Sequence, residues 1–435
     1  MFTCKTFVAA AFGVVLSAGM GQSQSGALGA EAGAAPGKDA GKAGSGEAKR
    51  TGPLAALPSA PGGHLARIKA MGDKTWLQVG KAAPDPKWGC APGRQFASKM
   101  AYAPDLGGAF LYGEANHAIF RKDGYVQDGL WFYDLNAHAW ICCYPGTKVE
   151  DAGLKLNKDG YWENAGGQAV PVTVMHSYNG TTYDPERGLF AAVKAASYYS
   201  YPKIKGLDKP WKSENPKGSP WMWNTRTGLW ERENCKNGVN GGYGMCLMYV
   251  PTMKGFWLRS SGKGVRLYDV DRKDWQGVAV KGPDTPFGYD AQAVYDPKRD
   301  RIYLGGGQYP TCKNTESLWI YDVKKQEWSN ARAENSRLKT YGSNYAVANF
   351  DTVNDCMIVF YHSERKMYVY HAETNRWDDP VDLGGPANKW AWNGFYDPAN
   401  NAHIFYIAPD NNVDDGRIWA YRQGRGQDAG GQKAR

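Results

Sequence analysis

The chain has 435 residues, among them 17 Trp, 27 Tyr, 54 Gly and 24 Pro. Aromatics favour pleated surfaces while Gly and Pro punctuate turns, so this balance is unusual for a helical protein and leans to an all-β fold. The formal charge of +9 comes from 52 basic and 43 acidic residues scattered along the chain, with no clustered basic stripe; nucleic acid is therefore not expected as a partner.

Residues 1–21 read as a signal peptide. Lys5 gives a positive start, and Phe7 to Gly21 form an apolar stretch too short to span a bilayer. No other segment approaches the length of a membrane span, so the mature chain is expected to be exported, periplasmic or extracellular, without a transmembrane segment. Residues 22–66 are Ala, Gly, Lys, Ser and Pro without periodicity. Such a stretch buries too little surface to offset its ordering entropy and reads as a disordered tail outside the fold. Residues 67–425 hold the folded domain, and 426–435 read as a flexible C-terminal tail.

An aromatic, six residues and then a tryptophan recur five times: Tyr133/Trp140, Trp223/Trp230, Tyr268/Trp275, Tyr321/Trp328 and Tyr370/Trp377. A period of about fifty residues built from short strands and turns marks a circular repeat. The unit that starts at Tyr289 shows four strands, with turns at Asp296-Pro297 and after Asp322. The aspartates Asp184, Asp296 and Asp397, and likewise Asp134, Asp269 and Asp322, read as turn formers whose carboxylates bond nearby amides.

First strands end at Tyr102, Tyr183, Tyr249, Tyr295, Phe350 and Tyr396, which gives six units. The sixth lacks a closing Trp, and the segment Thr75–Val79 offers one in Trp76. The expected fold is a six-bladed β-propeller of four-stranded blades whose ring is closed by an N-terminal strand that completes the last blade, leaving no open edge.

Gly305-Gly306-Gly307 followed by Tyr321 and Trp328 resembles the kelch repeat, where a glycine pair follows the second strand. The glycine element is weaker at Gly113, at Ser260-Ser261-Gly262 and at Tyr361-His362. The resemblance covers roughly residues 75–422 and implies an architecture like the central domain of galactose oxidase. Kelch-type relatives include copper-radical sugar oxidases and sialic-acid mutarotases. The oxidase's copper site finds no match here; Arg94 fits a mutarotase's carboxylate-binding arginine, while its glutamate has no clear counterpart.

Tyr183 comes 43 positions after Trp140, against 19 to 22 for the same step in the later units. This excess includes Lys155, Asp159, Tyr161, Trp162 and Gln168, and a second insertion lies between Ala196 and Trp221. Both insertions belong to the face where fourth-to-first and second-to-third connections emerge. The same face receives the starts of the innermost strands. There the candidate ligand-binding residues are Arg94, Gln95, His176, Tyr178, Asn179, Tyr243, Tyr289, Asp290, Tyr341, Asn344, Lys389, Trp390 and Trp392. Flat aromatic faces mixed with hydrogen-bonding groups suit a sugar.

Without the signal, seven cysteines remain. Cys235 and Cys246 bracket a glycine-rich loop and are the expected disulfide, while Cys90 could meet Cys142 or Cys143. An odd count leaves at least one thiol without a partner. No cysteine has zinc-site spacing. His117, His176 and His362 map to one face and could meet a metal, but no metal and no cofactor are assigned. The function expected is an exported, monomeric binding module for carbohydrate or an extracytoplasmic protein. The alternative is a sugar-active enzyme on the same scaffold.

Overall fold

The computed structural model describes residues 50–94, 96–113, 125–126, 128–148, 154–171, 177–193, 217–239, 245–259, 264–285, 289–308, 318–338, 346–386, 391–408 and 416–425. They form a six-bladed β-propeller. Blade 1 is Ala101–Ala103, Gly108–Tyr112, Leu130–Asp134 and Ala139–Tyr144; blade 2 is Thr181–Asp184, Leu189–Ala192, Trp221–Asn224 and Leu229–Glu231. Blade 3 is Cys246–Val250, Gly255–Arg259, Val265–Asp269 and Asp274–Gly277; blade 4 is Tyr289–Asp296, Arg301–Gln308, Trp319–Asp322 and Glu327–Asn330. Blade 5 is Ala346–Asp351, Cys356–Tyr361, Lys366–His371 and Arg376–Trp377, with Val381–Asp382 added to its third strand. Blade 6 joins Ala391–Asp397, Ala402–Ala408 and Arg417–Arg422 to the N-terminal strand Thr75–Gly80. Among the described residues no helix is long and apolar enough to cross a membrane.

The repeated spacing has a direct structural cause. In each of the five hairpins the aromatic of the third strand lies opposite the Trp of the outer strand, as in Tyr133↔Trp140 and Tyr268↔Trp275. Ring centroids of these pairs lie between 5.0 and 5.4 Å apart. Two residues before each Trp the backbone is left-handed, at His138, Gly228, Lys273, Gln326 and Asn375. That conformation ends a tight hairpin turn and so fixes the number of residues between the two rings. Aspartates close the turns as expected: Asp134 accepts from Ala137 N–H, Asp296 from Lys298 and Arg299, and Asp269 from Asp271 and Arg272.

Blade 6 reproduces the pair without a hairpin. Trp76 lies opposite Tyr421 across the antiparallel closure, with centroids 4.9 Å apart, and Lys74 two residues earlier is left-handed as well. Trp76 Nε1 donates to the Leu383 carbonyl at 2.8 Å, and its indole also meets Phe405 and Trp392. Gly385, itself left-handed, lies under this indole, where a Cβ would come within 2.6 Å of the ring.

Six apolar clusters fill the gaps between neighbouring blades, one per gap, including the gap between blades 6 and 1. Each sheet is therefore covered on both faces, which is why second strands such as Cys356–Tyr361 and Ala402–Ala408 are buried at every residue. A strand covered on both sides reads as a continuous apolar run rather than an alternation.

Composition placed residues 22–66 outside the fold, yet 50–66 pack on the propeller. Leu54, Leu57 and Leu65 are buried. Arg50 pairs with Asp105 of blade 1 at 2.9 Å, Thr51 N–H donates to the Arg226 carbonyl of blade 2, and Ser59 Oγ donates to Asp134. The following helix Gly63–Lys69 buries Leu65 and Ile68, three residues apart on one face. Its terminal carbonyls are met by Arg422, whose guanidinium donates to the carbonyls of Ile68, Lys69 and Met71 and also to those of Asn400 and Asn401. Anchored leucines and carbonyl partners supply what the small residues around them could not.

The expected Cys235–Cys246 disulfide is absent: both residues are free, buried thiols. Cys235 belongs to the apolar cluster between blades 2 and 3, Cys246 to the one between blades 3 and 4, so the sheet of blade 3 separates them. Cys246 Sγ donates to the Ala291 carbonyl at 3.2 Å. Cys143 is a free, buried thiol as well, Cys90 and Cys142 are buried, and Cys312 lies outside the described residues.

Three outcomes follow from this packing. Replacing Trp76 by Ala should lower the unfolding free energy by about 3 kcal/mol in urea titrations, the usual cost of deleting a packed large aromatic. Alkylation of the unreduced, denatured protein followed by peptide mapping should find Cys235 and Cys246 each modified, with no peptide pair linked through them. The third outcome concerns pH. The His138 ring lies tilted against that of His64, centroids 4.9 Å apart, and its Nδ1 lies 2.7 Å from the Tyr133 hydroxyl; burial first, then the charges of His64 and Arg67, lower its pKa to about 4. An unfolded histidine titrates near 6.5, so the unfolded chain takes up the proton first. The contribution of His138 is therefore complete above about 6.5 and is lost as pH falls towards 4. His138→Asn, which tolerates the left-handed backbone, should flatten the decline of unfolding free energy across that window.

Candidate functional site

Antiparallel meandering places the first-to-second and third-to-fourth turns on one face of the ring, here the turn face. The second-to-third and fourth-to-first connections emerge on the other, the loop face. The sequence-predicted ligand residues are those expected on the loop face. Of these, Gln95, His176, Tyr243, Tyr341, Asn344, Lys389 and Trp390 lie outside the described residues, as does His117. Tyr289 and Asp290 are placed as backbone at the start of blade 4's inner strand.

The four predicted residues whose side chains are described are all buried. Arg94 is 1% exposed, Asn179 1%, Trp392 2% and Tyr178 6%. Trp392 packs in the cluster between blades 5 and 6, edge-on to Trp76 and stacked on His362 with ring planes 8° apart. Burial, and then Arg365, push His362 down to a pKa of about 3. Among the described residues no cluster of His, Cys, Asp or Glu could hold a metal ion.

Arg94 and Asn179 instead take part in a polar plug across the axis. Arg94 N–H donates to Asn393 Oδ1, and Asn393 Nδ2 returns bonds to the carbonyls of Arg94 and Ala97, tying blade 6 to the entry of blade 1. Asn179 Oδ1 accepts from Ala293 N–H, joining blades 2 and 4. Ser98 Oγ donates to Gln292 Oε1 at 3.3 Å, linking blades 1 and 4 on opposite sides of the ring. Gln292 also takes the N–H of Ala348 and donates to the Ala346 carbonyl of blade 5. Strand starts converge here, and their unpaired inner edges need partners. Of the predicted residues, Arg94 through its backbone and Asn179 through its side chain thus bind blades to each other.

Below the plug a blind cavity of about 320 Å³ opens towards the turn face. Its collar is one aromatic from each blade: Tyr102, Tyr183, Tyr249, Tyr295, Phe350 and Tyr396. These are the residues that mark the ends of the inner strands in the sequence, and their sixfold recurrence is the signal that could have identified a ring. Tyr102 donates to Asp397 at 2.9 Å, Tyr183 to Asp105 at 3.0 Å, Tyr295 to Asp300 at 2.8 Å and Tyr396 to Asn401 at 3.0 Å. Burial, reinforced by Asp397, raises the Tyr102 hydroxyl pKa well above its ordinary value, so the collar is neutral.

The first insertion is a folded element. Lys155–Leu156 pairs with Trp162–Glu163 as a hairpin, and Asn157 and Asn164 cap its turns by accepting backbone N–H bonds. Trp162, Val126 and Val170 form a small apolar core beneath it. Tyr161 donates to Asn234 and the Glu233 carbonyl, and the Arg232 guanidinium lies 5.2 Å from its ring and 5.0 Å from that of Trp221. A small cavity of about 80 Å³ lies beside the hairpin, lined by Tyr125, Tyr144, Thr147, Lys148 and Asn164 among others.

No family model matches the sequence, and no curated protein matches it. Among solved structures the chain is similar to one described as an auxiliary nutrient binding protein from Bacteroides thetaiotaomicron. The two are 11% identical, with a TM-score of 0.44, over 79% of this chain and 75% of that one. A likeness of that size has no bearing on the site, whose reading rests on the residues above.

Proposed function

We propose that the chain is an exported, divergent kelch-type propeller that acts as a binding module, receiving carbohydrate or an extracytoplasmic protein on its loop face. The observation that carries this reading is the hairpin inserted between blades 1 and 2. It has its own core, capped turns and an Arg232 clamp, features that a length-variable connection does not need. Long connections held by a rigid scaffold are where binding residues concentrate. The sequence-predicted residues Gln95, His176, Tyr243, Tyr289, Asp290, Tyr341, Asn344, Lys389 and Trp390 would supply the aromatic faces and hydrogen-bonding groups that saccharides require.

The test is a glycan array, with a parallel pull-down, of the mature protein and of a variant whose residues 154–170 are replaced by a short Gly-Ser linker. The expected result is retention of a saccharide or a protein by the parent, with at least tenfold weaker binding by the variant at unchanged melting temperature. Equal binding by both would contradict the assignment, and so would no retention together with turnover of a small sugar.

A further inference from the structure

We propose that the turn-face cavity is a second binding site, separate from the loop face, for a small amphipathic anion: a flat apolar body bearing a carboxylate. The cavity's volume, about 320 Å³, lies at the lower end of the range of small-molecule pockets, about 300–1,000 Å³. Beyond the aromatic collar, its wall is largely apolar, with Met100, Met248, Ala293, Ala348 and Phe395 in it. Such a wall favours a flat apolar body, because ring edges and faces pack well against one.

The cavity's polar groups select the ligand's charge. Thr182 Oγ1 is taken by the Tyr249 N–H, and Asn349 Nδ2 faces the buried His403. Four collar hydroxyls are engaged by Asp397, Asp105, Asp300 and Asn401, and Asp105 is itself paired with Arg50. A sugar would find few partners for its hydroxyls here. Lys99 is different. It lines the cavity and donates to the Leu247 carbonyl at 3.1 Å, and among the described residues no carboxylate pairs with it. An ammonium carries three donors. Lys99 is half-buried, an ammonium partly removed from water without a counter-charge is destabilised, and this desolvation lowers its pKa to about 8. A ligand carboxylate would supply the missing counter-charge, whereas a cationic ligand would be repelled.

Phenylacetate, phenylacetamide and benzylamine serve as probes, titrated calorimetrically into the mature full-length protein. Phenylacetate should bind at least tenfold more tightly than the neutral amide or the amine. Lys99→Met should remove that preference and weaken phenylacetate at least tenfold, with melting followed to confirm the fold. Ala348→Phe, which fills the cavity and leaves Lys99 in place, should abolish binding of all three, and the 154–170 replacement should leave phenylacetate binding unchanged. The preference among probes is read on the parent protein and needs no variant to fold. Equal affinity for acid and amide, preference for the amine, binding that survives Ala348→Phe, or no binding at millimolar concentration would each overturn the site.

Discussion

The contact between Trp76 and Tyr421 holds the ring shut. Every other blade forms its aromatic–Trp pair inside a hairpin, where a left-handed turn residue brings the two strands together at little entropic cost. Blade 6 must form the same pair between residues that are hundreds of positions apart, and the loop that it closes is nearly the whole domain. Loop-closure entropy grows only slowly with length, so a single well-packed strand with a large aromatic can offset it. The surroundings are built for that contact: a carbonyl for the indole N–H, a glycine where no Cβ fits, and Arg422 gathering carbonyls from the helix that leads into the strand.

Once the circle is closed, the starts of six inner strands are brought together at the axis, and their polar groups must be satisfied within it. Ser98, Asn179, Gln292 and Asn393 do this by reaching across blades. The consequence for function is a channel divided in two. The loop face carries the hairpin of residues 155–163, and the turn face carries a chamber with an aromatic collar and a lysine in its wall.

The fold was legible because its signal is repeated: one aromatic spacing, six inner-strand endings and turn aspartates at equivalent places. Trp76 as the closing residue followed from counting. The site was less legible for a physical reason. Arg94, Asn179 and Trp392 look like ligand residues, since polar and aromatic side chains at strand starts near an axis suit a sugar. Such positions also suit blade-to-blade bonding and packing, by backbone at Arg94 and by side chain at Asn179 and Trp392, and only three-dimensional placement separates the two. The pairing of Cys235 with Cys246 failed because nearness in sequence does not reveal which side of a sheet each residue faces. Residues 50–66 were misjudged because three leucines within a bland stretch leave composition almost unchanged yet suffice to seat it. Lys99 went unnoticed because a lone lysine near a strand start has no motif to mark it.

Native-state hydrogen exchange across the closure tests the account most directly. If the ring depends on this strand, amides of residues 76–78 and 418–421 exchange together, at the rate set by global unfolding, and as slowly as those of the second strand of blade 4. Exchange of residues 76–78 by a separate, faster opening while the other blades stay protected would contradict it, since the propeller would then persist without its closing strand.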